Sequence, residues 1–251
     1  MHHVTFDNLH YRYPGAATDS LKGVSLDFPH AQRVVLLGRN GSGKSTLMLH
    51  GNGILRPRQG TVRLNGEAVD YSRASLKLLR RHVGVVFQNA DEQLFSASVA
   101  QDISFGPLNL GLDESEVRAR VKMAAELCEV TSLLERPTHA LSGGEKTRVA
   151  LAGILAMDPN VLLADEVISN LDPWMRRQVL RIFQRLVSRG KTVVLATHDL
   201  ELAQRWAQRV IVMDAGSILA DGDTDAVFAN PAVRAVLALD LPDDFDGSEA
   251  I

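Results

Sequence analysis

Short apolar runs recur along the chain, and each is followed by a turn or by a segment with helical spacing. The runs predicted to be strands are VTFDNL, VSLDF, RVVLLG, TVRLNG, HVGVVFQ, NVLLADE, TVVLATHD and RVIVMDAGSIL. Several are apolar without alternation, which is typical of parallel strands buried on both faces. The N-terminal strands and the Asn65-Gly66 pair indicate an antiparallel portion beside them. We therefore predict an α/β fold with a mostly parallel core sheet and an antiparallel β-subdomain.

The strand pattern stops between about Val99 and Thr138, where the spacing becomes helical. Asp113 and Glu116 have the spacing of a capping box at the start of one helix. We expect an inserted helical lobe at about residues 99–156, within a single domain that spans residues 1–241. The final segment, PDDFDGSEAI, is acidic and poor in apolar side chains, which predicts a disordered tail at residues 242–251.

Composition and charge narrow the classes of function. The chain has 251 residues, of which 45% are hydrophobic, and its formal net charge of -3 gives no general attraction to nucleic acid. No apolar run approaches the roughly 20 residues needed to span a bilayer, so a membrane role would come through partner subunits. The single cysteine, Cys128, is expected to be a small buried residue in a reducing compartment. His2 and His3 lack further spaced ligands, so we expect a solvated end there.

The strongest local motif lies between the strand RVVLL and the helical run STLMLH. It fits G-x-x-x-x-G-K-[ST] and consists of Gly38, Arg39, Asn40, Gly41, Ser42, Gly43, Lys44, Ser45 and Thr46. Its glycines allow consecutive backbone N–H groups to converge on phosphate oxygens, and the following helix N-terminus adds partial positive charge. We expect Lys44 to reach the β- and γ-phosphates and the Ser45 hydroxyl to coordinate Mg²⁺. The motif predicts a nucleoside triphosphate site with a magnesium cofactor.

Two adjacent carboxylates, Asp165 and Glu166, follow the apolar run VLLA. Because side chains alternate along a strand, the two carboxylates are expected to point in different directions. We expect Asp165 to bind the metal, through its water shell, and Glu166 to polarise an attacking water. The alternative is an acidic pair at a strand end that is simply solvated.

The segment Leu141-Ser142-Gly143-Gly144-Glu145 resembles the LSGGQ signature of the ATP-binding cassette family, and it stands between the phosphate loop and the acidic pair, as in that family. Ser142 and Glu145 also form an S-x-x-E capping box, so a local structural role is expected as well. The resemblance implies that Ser142, Gly143, Gly144 and Glu145, together with Asp172 further along the chain, contact the nucleotide bound by the opposite subunit. It therefore implies an ATPase that dimerises and has two composite sites.

Other elements of the family follow, and the resemblance covers about Val4 to Leu241. Gln88 resembles the Q-loop glutamine that contacts Mg²⁺, and His198 resembles the switch histidine that binds the γ-phosphate. Asp172 resembles the D-loop aspartate at the dimer interface, although an Asp before Pro173 is also a common helix start. The resemblance thus implies the catalytic residues Glu166, His198, Gln88 and Lys44 and the magnesium ligands Ser45, Gln88 and Asp165.

An aromatic residue near the N-terminus is the candidate for contact with the base. Tyr13 resembles the A-loop aromatic of the family, which stacks on adenine through its ring face. Tyr11 is an alternative two residues earlier, and simple core packing of this aromatic cluster is a further one.

The chain departs from the family pattern at several positions. Val167, Ile168 and Asn170 replace the proline, threonine and small residue of the usual sequence D-E-P-T-x-G, so we expect a less rigid loop. Arg39 stands where proline or a small residue is usual, and Glu145 stands where glutamine is usual. None of these changes removes a catalytic group.

The stretch FQNADEQLFSASVAQDISFGPLNLGL resembles the energy-coupling-factor importers within the family, and the cobalt type in particular. The resemblance implies an ATPase at the cytoplasmic face of the cell membrane, acting as a homodimer or with a similar second ATPase. It also implies a membrane substrate-binding subunit and a transmembrane coupling subunit whose helices enter a groove beside Asp91–Ser96. Cobalt is the first expectation for the substrate, and nickel or a vitamin such as biotin is the alternative.

Two functions outside transport are disfavoured. A DNA-repair cassette would carry a long coiled-coil insertion between the phosphate loop and the signature, where only about a hundred residues without sustained heptads lie. A translation-factor cassette would normally carry two such domains in one chain. We therefore expect no nucleic-acid partner.

Overall fold

The structure is a computed structural model that describes residues 4–169 and 171–237. His2, His3, Asn170 and the predicted acidic tail at 242–251 lie outside the described residues. Strands in the described part form two sheets, and helices cover them. None of the helices described is long and apolar enough to cross a bilayer.

The smaller sheet is antiparallel. Its strands are β1 (Val4–Tyr11), β2 (Leu21–Phe28), β4 (Gln59–Leu64) and β5 (Glu67–Ala68), in the order β2-β1-β4-β5. Asn65 and Gly66 both have positive φ, 54° and 85°, which is the conformation of a type I′ hairpin turn between β4 and β5. The antiparallel prediction is confirmed, but the two-residue strand β5 is too short to leave a pattern in the sequence.

The larger sheet is the parallel core. It contains β3 (Arg33–Leu37), β6 (Val83–Val86), β7 (Val161–Asp165), β8 (Thr192–Thr197), β9 (Arg209–Asp214) and β10 (Ser217–Gly222), in the order β10-β9-β3-β8-β7-β6. Every neighbouring pair is parallel except β9 and β10. The run RVIVMDAGSIL is split into β9 and β10 by a turn at Ala215 and Gly216, whose φ values are 44° and 89°. The predicted α/β class with a mostly parallel core is confirmed.

Helices flank the sheets. They are α1 (Lys44–Gly51), α2 (Arg73–His82), α3 (Val99–Leu110), α4 (Glu114–Leu127), α5 (Gly143–Leu155), α6 (Pro173–Ser188), α7 (Leu200–Trp206), α8 (Thr224–Ala229) and α9 (Pro231–Val236). Helices α3, α4 and α5 pack against one another in the stretch where the sequence indicates helical spacing. Asp113 caps α4 by accepting the backbone N–H groups of Ser115 and Glu116.

The parallel sheet is buried on both faces. Val34 and Leu36 of β3 pack under the antiparallel sheet, whereas Val35 and Leu37 pack against α7, α8 and α9. A separate apolar cluster joins the sheet to helices α3 to α6. Cys128 is fully buried in that cluster, and burial raises the pKa of its thiol. This two-sided burial explains why the core strands are apolar without alternation.

Candidate functional site

Four parallel strands end at one edge of the core sheet, and a sequence-predicted polar residue or loop follows each. Gly38 follows β3, Gln88 lies two residues beyond β6, Glu166 follows β7, and His198 follows β8. The loop that begins at Gly38 borders a polar cavity of about 450 Å³ together with Gln88, Glu166 and His198. Its lining residues are Tyr13, Ser20, Asn40, Gly41, Ser42, Gly43, Lys44, Ser45, Thr46, Gln88, Glu166 and His198. Ser20 also lines the cavity, although no motif in the sequence identifies it.

The phosphate loop needs glycine at two tightly packed positions. Gly38 has φ 153° and Gly43 has φ 107°. A Cβ atom on Gly38 would lie 2.4 Å from the Met213 carbonyl oxygen, and one on Gly43 would lie 2.7 Å from the Ser20 carbonyl oxygen. Gly43 is also the N-cap of α1 and offers no side-chain acceptor, so the first N–H groups of the helix stay available to an anion.

Lys44 is buried at the start of α1. Its side chain is held inside the loop, where Nζ donates to the carbonyl oxygens of Gly38 at 2.7 Å and Arg39 at 3.3 Å. Burial lowers the pKa of Lys44, and the carboxylates of Glu166 and Asp165 oppose that shift. A cation held beside two carboxylates and a helix N-terminus is suited to bind phosphate.

Asp165 ends β7 with its side chain turned towards the loop. Burial raises its pKa, whereas a hydrogen bond from Ser45 lowers it. Its Oδ1 atom is buried and has no hydrogen-bond partner among the described residues. Hard divalent cations prefer oxygen ligands, and a buried carboxylate oxygen without a partner beside a serine hydroxyl provides them. These residues therefore fit the magnesium ion that the phosphate-loop motif implies.

Glu166 diverges from Asp165 because the chain turns sharply after β7. Its φ is 50°, in the left-handed region that non-glycine residues rarely occupy. Its carboxylate lies 3.2 Å from Nδ1 of His198 and also accepts from the Ser169 hydroxyl. The Glu166 side chain is 11% exposed and the His198 side chain 67% exposed. The two carboxylates thus lie in different surroundings, with Glu166 at the cavity and Asp165 buried beside Lys44.

The structure separates the two candidate aromatic residues. Tyr13 lines the cavity and is 38% exposed, and its hydroxyl is 3.3 Å from the Thr46 hydroxyl. Tyr11 does not line the cavity, and it packs partly buried against the core. Of the two, Tyr13 has the ring that an incoming ligand can reach.

The signature segment lies outside the cavity. Ser142 caps α5, and its backbone N–H donates to Oε2 of Glu145 at 2.8 Å, completing the predicted capping box. That N–H group, together with the Ser142 hydroxyl, keeps the pKa of Glu145 below its usual range, and Arg136 pairs with the carboxylate at 3.1 Å. A Cβ atom on Gly143 would meet nothing within 4 Å, so the first residue of α5 has open space beside it.

Asp172 also lies outside the cavity and caps a helix, as the sequence suggests. It accepts the N–H groups of Trp174 and Met175 at the start of α6. Met175 in turn packs on Gly144, where a Cβ atom would lie 2.2 Å from the methionine methyl carbon. Asp172 and the signature are therefore neighbours on a surface separate from the phosphate loop of the same chain.

Burial explains two of the departures from the family pattern. Val167 and Ile168 are 5% and 2% exposed and pack in the cluster beneath α3 to α6. This burial argues against the expected looser loop, because two apolar side chains anchor the segment to the core. Arg39 is exposed and contributes a backbone carbonyl to Lys44.

A second concave surface, the apolar groove, has a volume of about 1140 Å³ and lies between α2, α3, α5 and β6. Phe95 and Phe105 stand on its rim, 65% and 48% exposed, with ring centroids 4.7 Å apart. Its other apolar lining residues include Ile54, Leu76, Val85, Phe87, Leu110, Ile154 and Met157. The sequence indicated only the part near Asp91–Ser96, because the remaining walls come from segments far apart in the chain.

Helix α5 and one ion pair connect the signature with the groove and with the segment after Gln88. Helix α5 carries Gly143 at its N-terminus, and its residues Gly153 and Ile154 line the groove. Lys146, also on α5, pairs at 2.5 Å with Asp91, which lies in the segment after Gln88. The signature and the groove therefore share one helix, and an ion pair ties that helix to the segment that leads from Gln88 to the groove.

Known proteins resemble the chain over most of its length. Residues 21–169 match the family described as ABC transporter. The cobalt import ATP-binding protein CbiO of Rhodobacter capsulatus is 48% identical over 227 residues, covering 90% of this chain and 81% of that protein. The energy-coupling factor transporter ATP-binding protein EcfA of Methanothermobacter thermautotrophicus is 44% identical over 239 residues, covering 95% and 76%.

Solved structures agree with these relatives. The structure of cbiO1 from Clostridium perfringens, described as part of the ABC transporter complex cbiONQ, has a TM-score of 0.80 and 39% identity, and covers 95% of both chains. A dimeric, post-hydrolysis structure of the ATP-binding cassette MJ0796 with ADP and Pi has a TM-score of 0.79 and 26% identity, covering 88% of this chain and 98% of that one. The chain therefore belongs to the ABC transporter family, as an ATPase of its energy-coupling-factor subgroup.

Proposed function

We propose that two copies of this chain hydrolyse MgATP at two shared sites and thereby power the import of a transition-metal ion, with cobalt as the first candidate. The observation that carries the proposal is a division between two surfaces. Lys44, Glu166 and His198 meet at the cavity, whereas the open N-terminus of α5 at Ser142 lies elsewhere. A second copy would supply the missing anion-binding end.

The cavity residues have distinct tasks in this proposal. The phosphate loop binds the β- and γ-phosphates through backbone N–H groups, and Lys44 exchanges the carbonyl oxygens of Gly38 and Arg39 for phosphate oxygens. Ser45, Gln88 and Asp165 would hold Mg²⁺, which when bound neutralises charge on the phosphates. Tyr13 stacks on adenine.

Glu166 activates the attacking water in the proposed reaction. It accepts a proton as the water oxygen bonds to the γ-phosphorus, and the bond from that phosphorus to the bridging oxygen of ADP breaks. His198 donates from Nδ1 to Glu166 and so fixes the direction of the carboxylate. Ser142 and Gly143 of the partner subunit add donors to the γ-phosphate.

The apolar groove is the proposed binding site of the transmembrane coupling subunit. Phenylalanine side chains exposed on the rim of a large groove have an unfavourable free energy of hydration, which a partner that covers them would remove. A helix of the membrane subunit with an apolar face fits the groove, and a second membrane subunit would bind the substrate. These partners would hold the chain at the cytoplasmic face of the membrane.

Cobalt is proposed because the relative from Rhodobacter capsulatus is named a cobalt import protein and because the FQNADEQLFSASVAQDISFGPLNLGL stretch resembles that type. Relatives named only as energy-coupling factor proteins leave nickel and vitamins such as biotin as alternatives.

Uptake of radiolabelled cobalt tests the proposal. Cells that lack the chain would be complemented with the wild type or with Glu166→Gln, and nickel uptake would be measured in parallel. We expect cobalt uptake with the wild type only. Uptake that does not depend on the chain would contradict the proposed substrate, and uptake supported equally by Glu166→Gln would contradict the role of Glu166.

A further inference from the structure

Four residues form a closed ring of contacts behind the cavity. His50 and Tyr11 meet edge to face with ring centroids 4.8 Å apart, and Tyr11 meets Tyr13 in the same way at 5.0 Å. The Tyr13 hydroxyl is 3.3 Å from the Thr46 hydroxyl, and the Thr46 carbonyl oxygen is 2.7 Å from Nδ1 of His50. Only Tyr13 and Thr46 of this ring line the cavity.

His50 is the most buried member of the ring. It is 0% exposed, one helical turn after Thr46 on α1. Because a carbonyl oxygen can only accept, Nδ1 carries the hydrogen and donates to Thr46. Burial lowers the pKa of the imidazole, which favours the neutral form.

A histidine at this position lowers the stability of the fold relative to an apolar residue. Its Nε2 atom is buried without a hydrogen-bond partner among the described residues. A phenylalanine would fill similar space without burying such a polar atom. The imidazole nevertheless contacts two neighbours at once, the Thr46 carbonyl through Nδ1 and the Tyr11 ring through an edge-to-face contact.

We propose that His50 is a positioning residue for the nucleotide base. It orients Tyr11, which orients Tyr13, while Thr46 closes the ring from the opposite side. The ring presents the Tyr13 face to the purine from a fixed direction, so less side-chain freedom is lost when the base stacks. This inference rests on the proposed stacking of Tyr13, and it adds to that proposal a residue that never touches the nucleotide.

Calorimetric titration of the purified full chain tests the inference with two probes, MgADP and magnesium pyrophosphate. Pyrophosphate carries the phosphates without the base, so it reports on the phosphate loop alone. For His50→Leu we expect Kd for ADP to rise roughly three- to ten-fold, the range that loss of one aromatic contact gives. We expect Kd for pyrophosphate to stay the same. His50→Phe retains an aromatic ring against Tyr11 and should recover most of the ADP affinity.

His82→Leu is the matched control. His82 also bonds a carbonyl oxygen one helical turn earlier, that of Leu78 at 2.8 Å, but it lies at the end of α2 and outside the cavity. Neither ligand should respond to this change. Thermal unfolding of each variant would confirm that it is folded before titration.

Tyr13→Ala separates the inference from the proposal on which it rests. Unchanged ADP binding in Tyr13→Ala would contradict the proposal that Tyr13 stacks on the base. Weaker ADP binding in Tyr13→Ala together with unchanged binding in His50→Leu would overturn the positioning role alone. An equal loss of ADP and pyrophosphate in His50→Leu would also overturn it, because His50 would then support the packing of α1.

Discussion

The polar cavity and the apolar groove differ in the origin of their walls. The cavity of about 450 Å³ is made largely of one continuous loop together with residues that follow strand ends, and backbone groups and charged side chains face it. The groove of about 1140 Å³ lies between α2, α3, α5 and β6, and most of the surface that lines it belongs to aliphatic and aromatic side chains. The cavity suits a small anion that needs many directed hydrogen bonds, whereas the groove suits a protein surface that needs apolar contact.

The largest effect should come from disabling the cavity while leaving the groove intact. Glu166→Gln retains the shape of the side chain but removes the proton acceptor. We expect steady ATP hydrolysis to fall by roughly 10²–10⁴-fold, the range of general-base catalysis, with MgATP still bound. Phosphate release would measure hydrolysis and equilibrium titration would measure binding.

Glu201→Gln is the control for that change. Glu201 is 71% exposed and pairs with Arg205 on α7, outside the cavity, so hydrolysis should be unaffected. Hydrolysis at the wild-type rate in Glu166→Gln would assign the base to another group.

The next effect should come from disabling the groove while leaving the cavity intact. Phe95→Asp places a charge on the rim, and a buried aromatic anchor at an interface contributes about 2–4 kcal/mol, or roughly 30- to 1000-fold in affinity. We expect cobalt uptake and co-sedimentation with membranes to be lost, while basal ATP hydrolysis by the purified chain is retained.

Leu78→Asp provides a matched comparison. Leu78 is 53% exposed on α2 but does not line the groove, so the same charge there should leave uptake unchanged. Equal losses in both variants would show that the defect is not specific to the groove.

The smallest effect concerns stability at the buried carboxylate. Because burial raises the pKa of Asp165 above the ordinary 3.8, the stability that this group contributes is present at low pH and is lost as pH rises through the folded-state pKa. Asp165→Asn should therefore raise Tm at pH 7 by roughly 2–4 °C, the shift that about 1 kcal/mol produces in a domain of this size. The gain should shrink as the pH is lowered.

Magnesium nucleotide should act against this difference in stability. The wild type gains a partner for the Asp165 carboxylate and binds the ligand more tightly, so its Tm should rise more than that of Asp165→Asn. Asp214→Asn, at the end of β9, is the control, and its Tm should respond to nucleotide as the wild type does. A wild type and an Asp165→Asn variant with equal nucleotide-dependent shifts would contradict metal binding at Asp165.

The contrast between the two regions also explains what the sequence could predict. The phosphate loop is a run of consecutive residues with a fixed strand before it and a helix after it, so Gly38–Thr46 could be identified directly. The core strands could be identified because burial on both faces makes them apolar throughout. The choice between Tyr11 and Tyr13 could not be made, because both are aromatic and only the fold decides which one reaches the cavity.

Most of the groove could not be predicted from the sequence. Ile54, Phe105 and Ile154 belong to three separate segments, and each looks like an ordinary core residue until the fold leaves it on one open surface. The same limit applied to Val167 and Ile168, whose departure from the family pattern suggested a looser loop although both are anchored in the core.

Helix α5 connects the signature at its N-terminus to the groove near its C-terminus, so a tilt applied at one end moves the other. About ten residues separate Gly143 at the signature from Gly153 at the groove, a length of roughly 15 Å in a helix. If a partner seated in the groove tilted this rod by about 10°, its far end would move by about 2.5 Å, nearly the length of a hydrogen bond. In the proposed dimer, a tilt that small would be enough to make or break contact with the phosphates bound by the other copy, so the length of one helix would set how far the signature moves.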